Sequence, residues 1–98
     1  MPTIIVESSW FGETSKEVAE IWLKWEKAPD WLKMIWSGNL PDLNSGQRGM
    51  TIWKCAEERL GEALTLVRKN MTLYLEVPGY TFSIDVWVDA LDAIKLIE

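Results

Sequence analysis

The stretch Tyr80–Asp89 alternates two kinds of side chain along its whole length, and this pattern constrains the fold more than any other. A period of two is typical of a β-strand with one apolar face. Such a face must be buried against other elements, so the sequence predicts a layered domain in which helices cover one side of a sheet. The predicted apolar face comprises Tyr80, Phe82, Ile84, Val86 and Val88, and the opposite face comprises Thr81, Ser83, Asp85, Trp87 and Asp89.

Three more segments carry strand patterns. The first covers Thr3–Trp10, where β-branched residues follow one another and favour a central strand. A weaker pattern covers Trp31–Ser37, and a third covers Met50–Cys55. Between these two, Ser37–Gly49 is rich in Gly, Asn, Asp, Ser and Pro, which predicts a loop. Because this loop exceeds the usual hairpin length, it is a candidate lid over a functional site.

Two helix patterns lie between the strands. In Thr14–Lys27, apolar side chains recur at the spacing of a buried helical stripe, and Glu17 stands where a capping box would need it. The second pattern covers about Glu57–Leu75, with acidic residues early and basic residues late, as the helix dipole favours. Trp22 and Trp25 belong to the first stripe, so we expect both in the core.

The order of elements is β-α-β-β-α-β, which predicts a single α+β domain over residues 1–98 with a ferredoxin-like, four-stranded antiparallel sheet. Right-handed crossovers place the first and third strands in the centre and both helices on one face. After the last strand, Asp89 is expected to cap a short terminal helix. Leu91 and Ile94 of that helix are expected to pack back on the domain.

Composition excludes several classes of function. The net charge of −5 argues against nucleic acid and anionic membranes as partners. No histidine is present, which removes His-activated nucleophiles, the usual haem ligand and common zinc sites, so we expect neither a metal site nor a cofactor. Cys55 is the single cysteine, and the chain begins without a signal-peptide pattern, which favours a cytoplasmic protein.

The chain has seven tryptophans, more than a small core holds easily, so some are expected to line a cavity or an interface. If Ile4, Val6 and Ile52 lie under the helices, the opposite face carries aromatic side chains beside a few polar groups, the composition of a ligand cavity. The residues that this placement nominates for ligand binding are Glu7, Ser9, Trp53, Cys55, Asp85 and Trp87.

Glu7 and Asp85 have two interpretations. The first and last strands are expected to be neighbours, so the two carboxyl groups come close between Trp53 and Trp87. If a partner covers them, burial and like charge raise a carboxyl pKa, and one group can act as a general acid or base. On an open face they are ordinary solvated residues.

Two weaker signals have plain explanations. The segment 44–49, Asn-Ser-Gly-Gln-Arg-Gly, has amides and Arg48 that can hold an anion, but it matches no phosphate loop, and a plain flexible turn is the better explanation. Cys55 has no histidine to activate it, so a small thiol in the core or in a cavity wall is expected in place of a nucleophile.

The whole pattern resembles the dimeric α+β barrel superfamily, ferredoxin-like domains that pair sheet to sheet. The resemblance implies a homodimer and no particular reaction, and the missing histidine departs from the haem-binding members. The segments similar to a small archaeal-type group within it are 6–10 (Val-Glu-Ser-Ser-Trp), 15–18 (Ser-Lys-Glu-Val), 61–64 (Gly-Glu-Ala-Leu), Met71, Tyr74, 78–80 (Pro-Gly-Tyr) and 93–97 (Ala-Ile-Lys-Leu-Ile).

Three functions remain open from the sequence. The first is a cytosolic homodimer that binds a small apolar or aromatic molecule in a barrel-like cavity. The second is a cofactor-independent enzyme, an isomerase or monooxygenase-like protein, in which Glu7 or Asp85 moves a proton. The third is an interaction module whose tryptophan-bearing sheet face binds another protein.

Overall fold

The computed structural model describes residues 1–42 and 46–97, which form an α+β fold on a four-stranded antiparallel sheet. The strand order is β2-β3-β1-β4, so the predicted ferredoxin-like arrangement, with the first and third strands central, is confirmed. The strands are β1 (Thr3–Trp10), β2 (Lys33–Asp42), β3 (Gly46–Lys54) and β4 (Thr81–Trp87), and the helices are α1 (Ser15–Leu23), α2 (Leu60–Thr72) and α3 (Ala90–Ile97).

The first helix is shorter than its apolar stripe predicts. It ends at Leu23, where the backbone N–H groups of Lys24 and Trp25 bond to carbonyls three residues back and tighten the last turn. Its start also differs, because the Thr14 hydroxyl donates to the Phe11 carbonyl oxygen (2.9 Å) and does not cap the helix. The predicted capping box is therefore wrong. The second predicted helix is present from residue 57 to residue 76, with α2 flanked by 3₁₀ turns at Glu57–Arg59 and Leu73–Glu76.

The predicted loop over Ser37–Gly49 is wrong for most of its length. Residues 37–42 continue β2 and residues 46–49 begin β3, and within this segment the two strands pair from Asn39 with Gly49 to Asp42 with Gly46. Composition misled here because backbone hydrogen bonds, which are independent of side-chain type, hold a hairpin, and an edge strand tolerates proline. Leu43, Asn44 and Ser45 lie outside the described residues, so only Arg48 and its strand neighbours of the suggested anion loop can be placed.

The helix-covered face of the sheet forms the core. Alternate residues of β1 face the helices, and Ile4, Val6 and Trp10 are buried there. From β4, Phe82 and Ile84 pack against this core, as the alternation predicts.

The predicted facing of β3 is wrong. The antiparallel register pairs Ile4 with Trp53 and Ile5 with Ile52, and paired residues project to the same side of a sheet. Trp53 therefore lies under the helices, and Ile52 lies on the opposite face. A slip of one position reverses every side chain of a strand, and no pattern within β3 fixes that choice because both of its faces carry apolar residues.

The terminal helix forms where Asp89 predicts it, and the Ala93 N–H bonds to the Asp89 carbonyl oxygen (2.9 Å). It does not pack on the domain as predicted, since Leu91 is 73% exposed and Ile94 is 48% exposed. Ion pairs connect this end of the chain to the amino terminus, whose nitrogen lies 3.7 Å from a carboxylate oxygen of Asp89 and 3.9 Å from one of Asp92. Such exposed ion pairs contribute little to stability.

Candidate functional site

A cavity of about 490 Å³ lies between α1 and the helix-covered face of the sheet. Its volume is within the range of about 300–1,000 Å³ that small-molecule sites occupy. It is walled by α1 and by the 3₁₀ turn that follows α2, and the strands form its floor. The aromatic residues that line it are Trp10, Trp22, Trp25, Tyr74 and Tyr80, and the polar residues are Ser8, Ser15, Ser37, Asn39, Gln47 and Thr51.

Three of the aromatic rings form a parallel stack. Tyr80 lies between the other two, 5.8 Å from Trp10 with an interplanar angle of 14° and 4.4 Å from Tyr74 with an angle of 8°. Tyr74 is almost fully buried, so packing fixes the inner end of this stack. The β3 backbone approaches the Trp10 indole closely at Gly49, where an added Cβ atom would lie 3.1 Å from the ring.

The aromatic wall is extended by Trp22 of α1 and by Trp25, which follows the end of this helix. The Trp22 and Trp25 rings are 4.5 Å apart, and Trp25 meets Tyr74 edge to face at 6.1 Å. The expectation that both are core residues is wrong for Trp22, which is 37% exposed. The Trp25 indole N–H is buried without a hydrogen-bond partner among the described residues. It approaches the Tyr74 phenol without hydrogen-bond geometry.

The sheet side of the cavity is polar. Ser37 and Asn39 of β2 pair with Thr51 and Gly49 of β3, so their side chains project from one face. The Trp53 indole N–H donates to the Thr51 hydroxyl oxygen at 3.1 Å. This hydroxyl therefore acts as an acceptor toward the core and keeps its own proton to donate.

Ser15 has the same arrangement on the helix side of the cavity. The Trp10 indole N–H donates to its hydroxyl oxygen at 3.1 Å. Within the described part of the chain, no recorded hydrogen bond has the Ser15 or Thr51 hydroxyl as donor. The cavity is thus bordered by two hydroxyl groups whose protons have no acceptor among the described residues and can be donated to a ligand.

No charged side chain lines the cavity within residues 1–42 and 46–97. Its two phenols also stay neutral at physiological pH. Burial, with a smaller contribution from the neighbouring Tyr80, raises the pKa of Tyr74, and burial raises the pKa of Tyr80 against an opposing contact with Ser8. The described lining therefore offers a molecule only stacking, apolar contact and neutral hydrogen bonds.

The nominated site residues divide between two places. Glu7, Ser9, Asp85 and Trp87 lie on the face of the sheet that the helices leave open, where Ser9 and Thr81 share a hydrogen bond of 2.6 Å. Glu7 pairs with Ser83, and Asp85 pairs with Ile5, so the two carboxyl groups are diagonal neighbours on adjacent strands. Both are exposed. The register thus places both groups on one face of neighbouring strands, without Trp53 beside them, and neither group borders the cavity.

The expectation that Trp53 and Cys55 share that open face is wrong. Trp53 is 4% exposed, and its ring stacks 6.4 Å from Trp25 in the core. Cys55 is fully buried beside it in the core cluster. Burial and then the nearby Glu58 carboxylate raise the pKa of the Cys55 thiol, which agrees with the expected structural role.

The open face is rich in apolar side chains. Trp36 is 52% exposed and Trp87 is 61% exposed, and Ile5 and Ile52 lie between them on the central strands. Trp36 reaches this face because Ile35 has no partner on β3, which shifts the register of β2 by one residue.

Sequence patterns missed most of the cavity. Asn39 and Gln47 fall in the predicted loop, and Tyr80 falls on the predicted apolar face of the last strand. A usable signal is the run of small or polar residues at alternate positions of β2 and β3, which lie on the same side of the sheet as Trp22 and Trp25. The described residues include no group of three or more acidic or cysteine side chains that could hold a metal ion.

Among the described helices, none has the length and apolar character that crossing a membrane requires. No protein-family model matches the sequence, and comparison with curated proteins and with solved structures finds no significant similarity.

Proposed function

We propose that this protein binds a small apolar or aromatic molecule in the cavity between α1 and the sheet. The observation that carries the proposal is an aromatic wall and a neutral polar floor around about 490 Å³. A core that served stability alone would fill such a volume, because an empty apolar space lined by large side chains costs free energy.

A homodimer forms the second part of the proposal. The open sheet face exposes apolar residues that a stable soluble protein covers. Its charges are also divided. Among the described side chains, Glu7 and Asp85 lie on β1 and β4, while Arg48, Lys54 and Lys33 lie on β3 and β2.

This division suits a second copy of the same chain. When two sheets stack face to face about a twofold axis parallel to the strands, the strand order β2-β3-β1-β4 of one copy is reversed over the other. The acidic strands of each copy then face the basic strands of its partner. The interface is self-complementary in charge, with Trp36 and Trp87 of each copy inside it.

The binding proposal is tested by filling the cavity. Ala19 lines the cavity from an exposed position on α1, so Ala19→Trp occupies the space with little effect on the core. Glu20→Trp is the matched control, because it adds the same ring to the next residue, which does not line the cavity. Equilibrium dialysis with 2-acetylnaphthalene is expected to show one molecule per chain for the wild type and the control, and none for Ala19→Trp.

Native mass spectrometry of the purified protein reads subunit number and any retained small molecule together. Wild-type protein that binds no aromatic probe, or an Ala19→Trp variant that binds as well as the control, contradicts the cavity as a binding site. A protein that stays monomeric at concentrations of about 100 µM contradicts the dimer, since sheet-to-sheet interfaces of stable homodimers bind more tightly than this.

A further inference from the structure

We propose that the ligand of the cavity is an uncharged, planar aromatic molecule that carries a hydrogen-bond-accepting oxygen on its edge. This inference rests on the proposed function and narrows it to a chemical class. It combines three features of the cavity's described lining: uncharged side chains, an aromatic wall of nearly parallel rings, and two hydroxyl groups available as donors.

The first feature excludes ions. The described lining includes no acidic or basic side chain. A charged ligand would therefore lose its hydration on entering the cavity and find no opposite charge there to compensate. The phenols of Tyr74 and Tyr80 do not supply one near neutral pH, because burial keeps both protonated. A neutral ligand loses far less solvation on entering the same space.

The second feature favours a flat ring system. Trp10, Tyr80 and Tyr74 are nearly parallel, with interplanar angles of 14° and 8°, and Trp22 continues the aromatic lining from α1. Because Tyr80 is covered on both faces by its neighbours, a ligand meets this stack at its ring edges or at the outer ring. Edge-to-face contact and offset stacking both need a planar partner. A saturated molecule of equal size has puckered faces and matches this lining less well.

The third feature places an acceptor on the ligand. The hydroxyl oxygens of Ser15 and Thr51 each accept an indole N–H, at 3.1 Å in both cases, so each hydroxyl is oriented by the core. What each can offer a ligand is its proton. A carbonyl or ether oxygen on the edge of the ring system would accept that proton, whereas a hydrocarbon would leave it without a partner.

The test is a series of probes with one carbon skeleton, measured by equilibrium dialysis on the wild-type protein. 2-Acetylnaphthalene is expected to bind about three- to tenfold more tightly than 2-ethylnaphthalene, which lacks the acceptor. It is expected to bind at least about tenfold more tightly than the anion 2-naphthoate, which must be desolvated. The saturated analogue 2-acetyldecalin is expected to bind about tenfold more weakly, since it cannot stack.

Each alternative result overturns a different statement. Equal or tighter binding of 2-naphthoate overturns the uncharged class, and equal binding of the decalin overturns the planar class. Equal binding of 2-ethylnaphthalene overturns the acceptor. In all three cases the cavity still binds a small molecule, so the proposed function stands. If no probe binds, the proposed function fails together with this inference.

Variants identify the donors. Thr51→Val keeps the shape of the side chain and removes the hydroxyl, so the preference for 2-acetylnaphthalene over 2-ethylnaphthalene is expected to fall toward unity. Ser15→Ala makes the same test at a partly exposed helix start if Thr51→Val unfolds the protein. If the preference is unchanged in every variant that folds, these hydroxyls are not the donors.

Discussion

The two faces of the sheet carry similar aromatic residues but differ in how far these residues are enclosed and in the charges beside them. Both carry tryptophan, but the helix-covered face surrounds its rings with protein and leaves a cavity, while the open face leaves Trp36 and Trp87 largely in water. The covered face has neutral polar groups, and the open face has the charged ones. The difference teaches that aromatic content alone does not locate a site. What distinguishes the faces is the enclosure of the rings and the charge beside them.

The largest expected effect is on stability, at the covered face. Tyr74→Ala removes a ring that is 2% exposed and stacked on Tyr80, so it should lower the free energy of unfolding by about 3–5 kcal/mol. Trp36→Ala removes a larger ring from the open face, and in the monomer it should cost under about 1 kcal/mol. Urea denaturation at low protein concentration measures both. Equal losses would abolish the contrast between the faces.

The second prediction concerns self-association. Trp87→Arg places a charge in the interface that the open face is proposed to form, and should raise the dimer dissociation constant about 100-fold or more. Leu75→Arg is the control, since Leu75 is also highly exposed but belongs to the 3₁₀ turn on the helix side. Sedimentation equilibrium reads both variants. A Trp87→Arg protein as dimeric as the control would show that the open face is not the interface.

The third prediction follows from the neutral phenols of the covered face. Burial raises the pKa of Tyr74 and of Tyr80, so the folded chain keeps protons that the unfolded chain releases above a pH of about 10. Stability is therefore complete below that pH and falls as the pH rises through it, by at most about 1.4 kcal/mol per pH unit for each tyrosine.

Denaturation midpoints between pH 8 and pH 11 measure this decline. Tyr80→Phe removes one of the two titrating phenols of the chain and should make the decline shallower. The same slope in the variant and the wild type would mean that Tyr80 titrates normally in the folded protein.

The smallest expected effect is at the open face. Glu7→Gln removes a carboxylate that lies outside the cavity, so the affinity for 2-acetylnaphthalene should change by less than about twofold. Dialysis of both proteins decides this. A large loss of affinity, or a turnover that disappears with Glu7, would instead place the working site on the open face, as an enzyme based on Glu7 or Asp85 requires.

Most of the fold follows from local patterns. The alternation in β4 and the β-branched run in β1 predict two of the four strands. The strand order agrees with the one that right-handed crossovers predict. The hairpin of β2 and β3 was missed, because Gly38, Pro41 and Gly46 suggest a loop while backbone pairing overrides them.

The candidate site was harder to predict. Its polar floor belongs to that hairpin, and its aromatic wall comes from residues that also look like core, such as Trp25 and Tyr74. A stripe of aromatic residues at helical spacing does not say whether the helix packs tightly on the sheet or stands away from it. Only the three-dimensional packing shows that α1 leaves a cavity beneath it.

By itself the sequence determined the class of fold, the absence of histidine chemistry and the strand that needs a cover, because each depends on composition or on a short period. The tertiary structure decided which face each β3 residue takes. That choice depends on the register between β1 and β3, where one position exchanges Ile52 for Trp53 under the helices. The observed register places Trp53 and Cys55 in the core, on the opposite side of the sheet from Glu7 and Asp85. Pairing between distant parts of the chain sets this register, and no local sequence pattern records it.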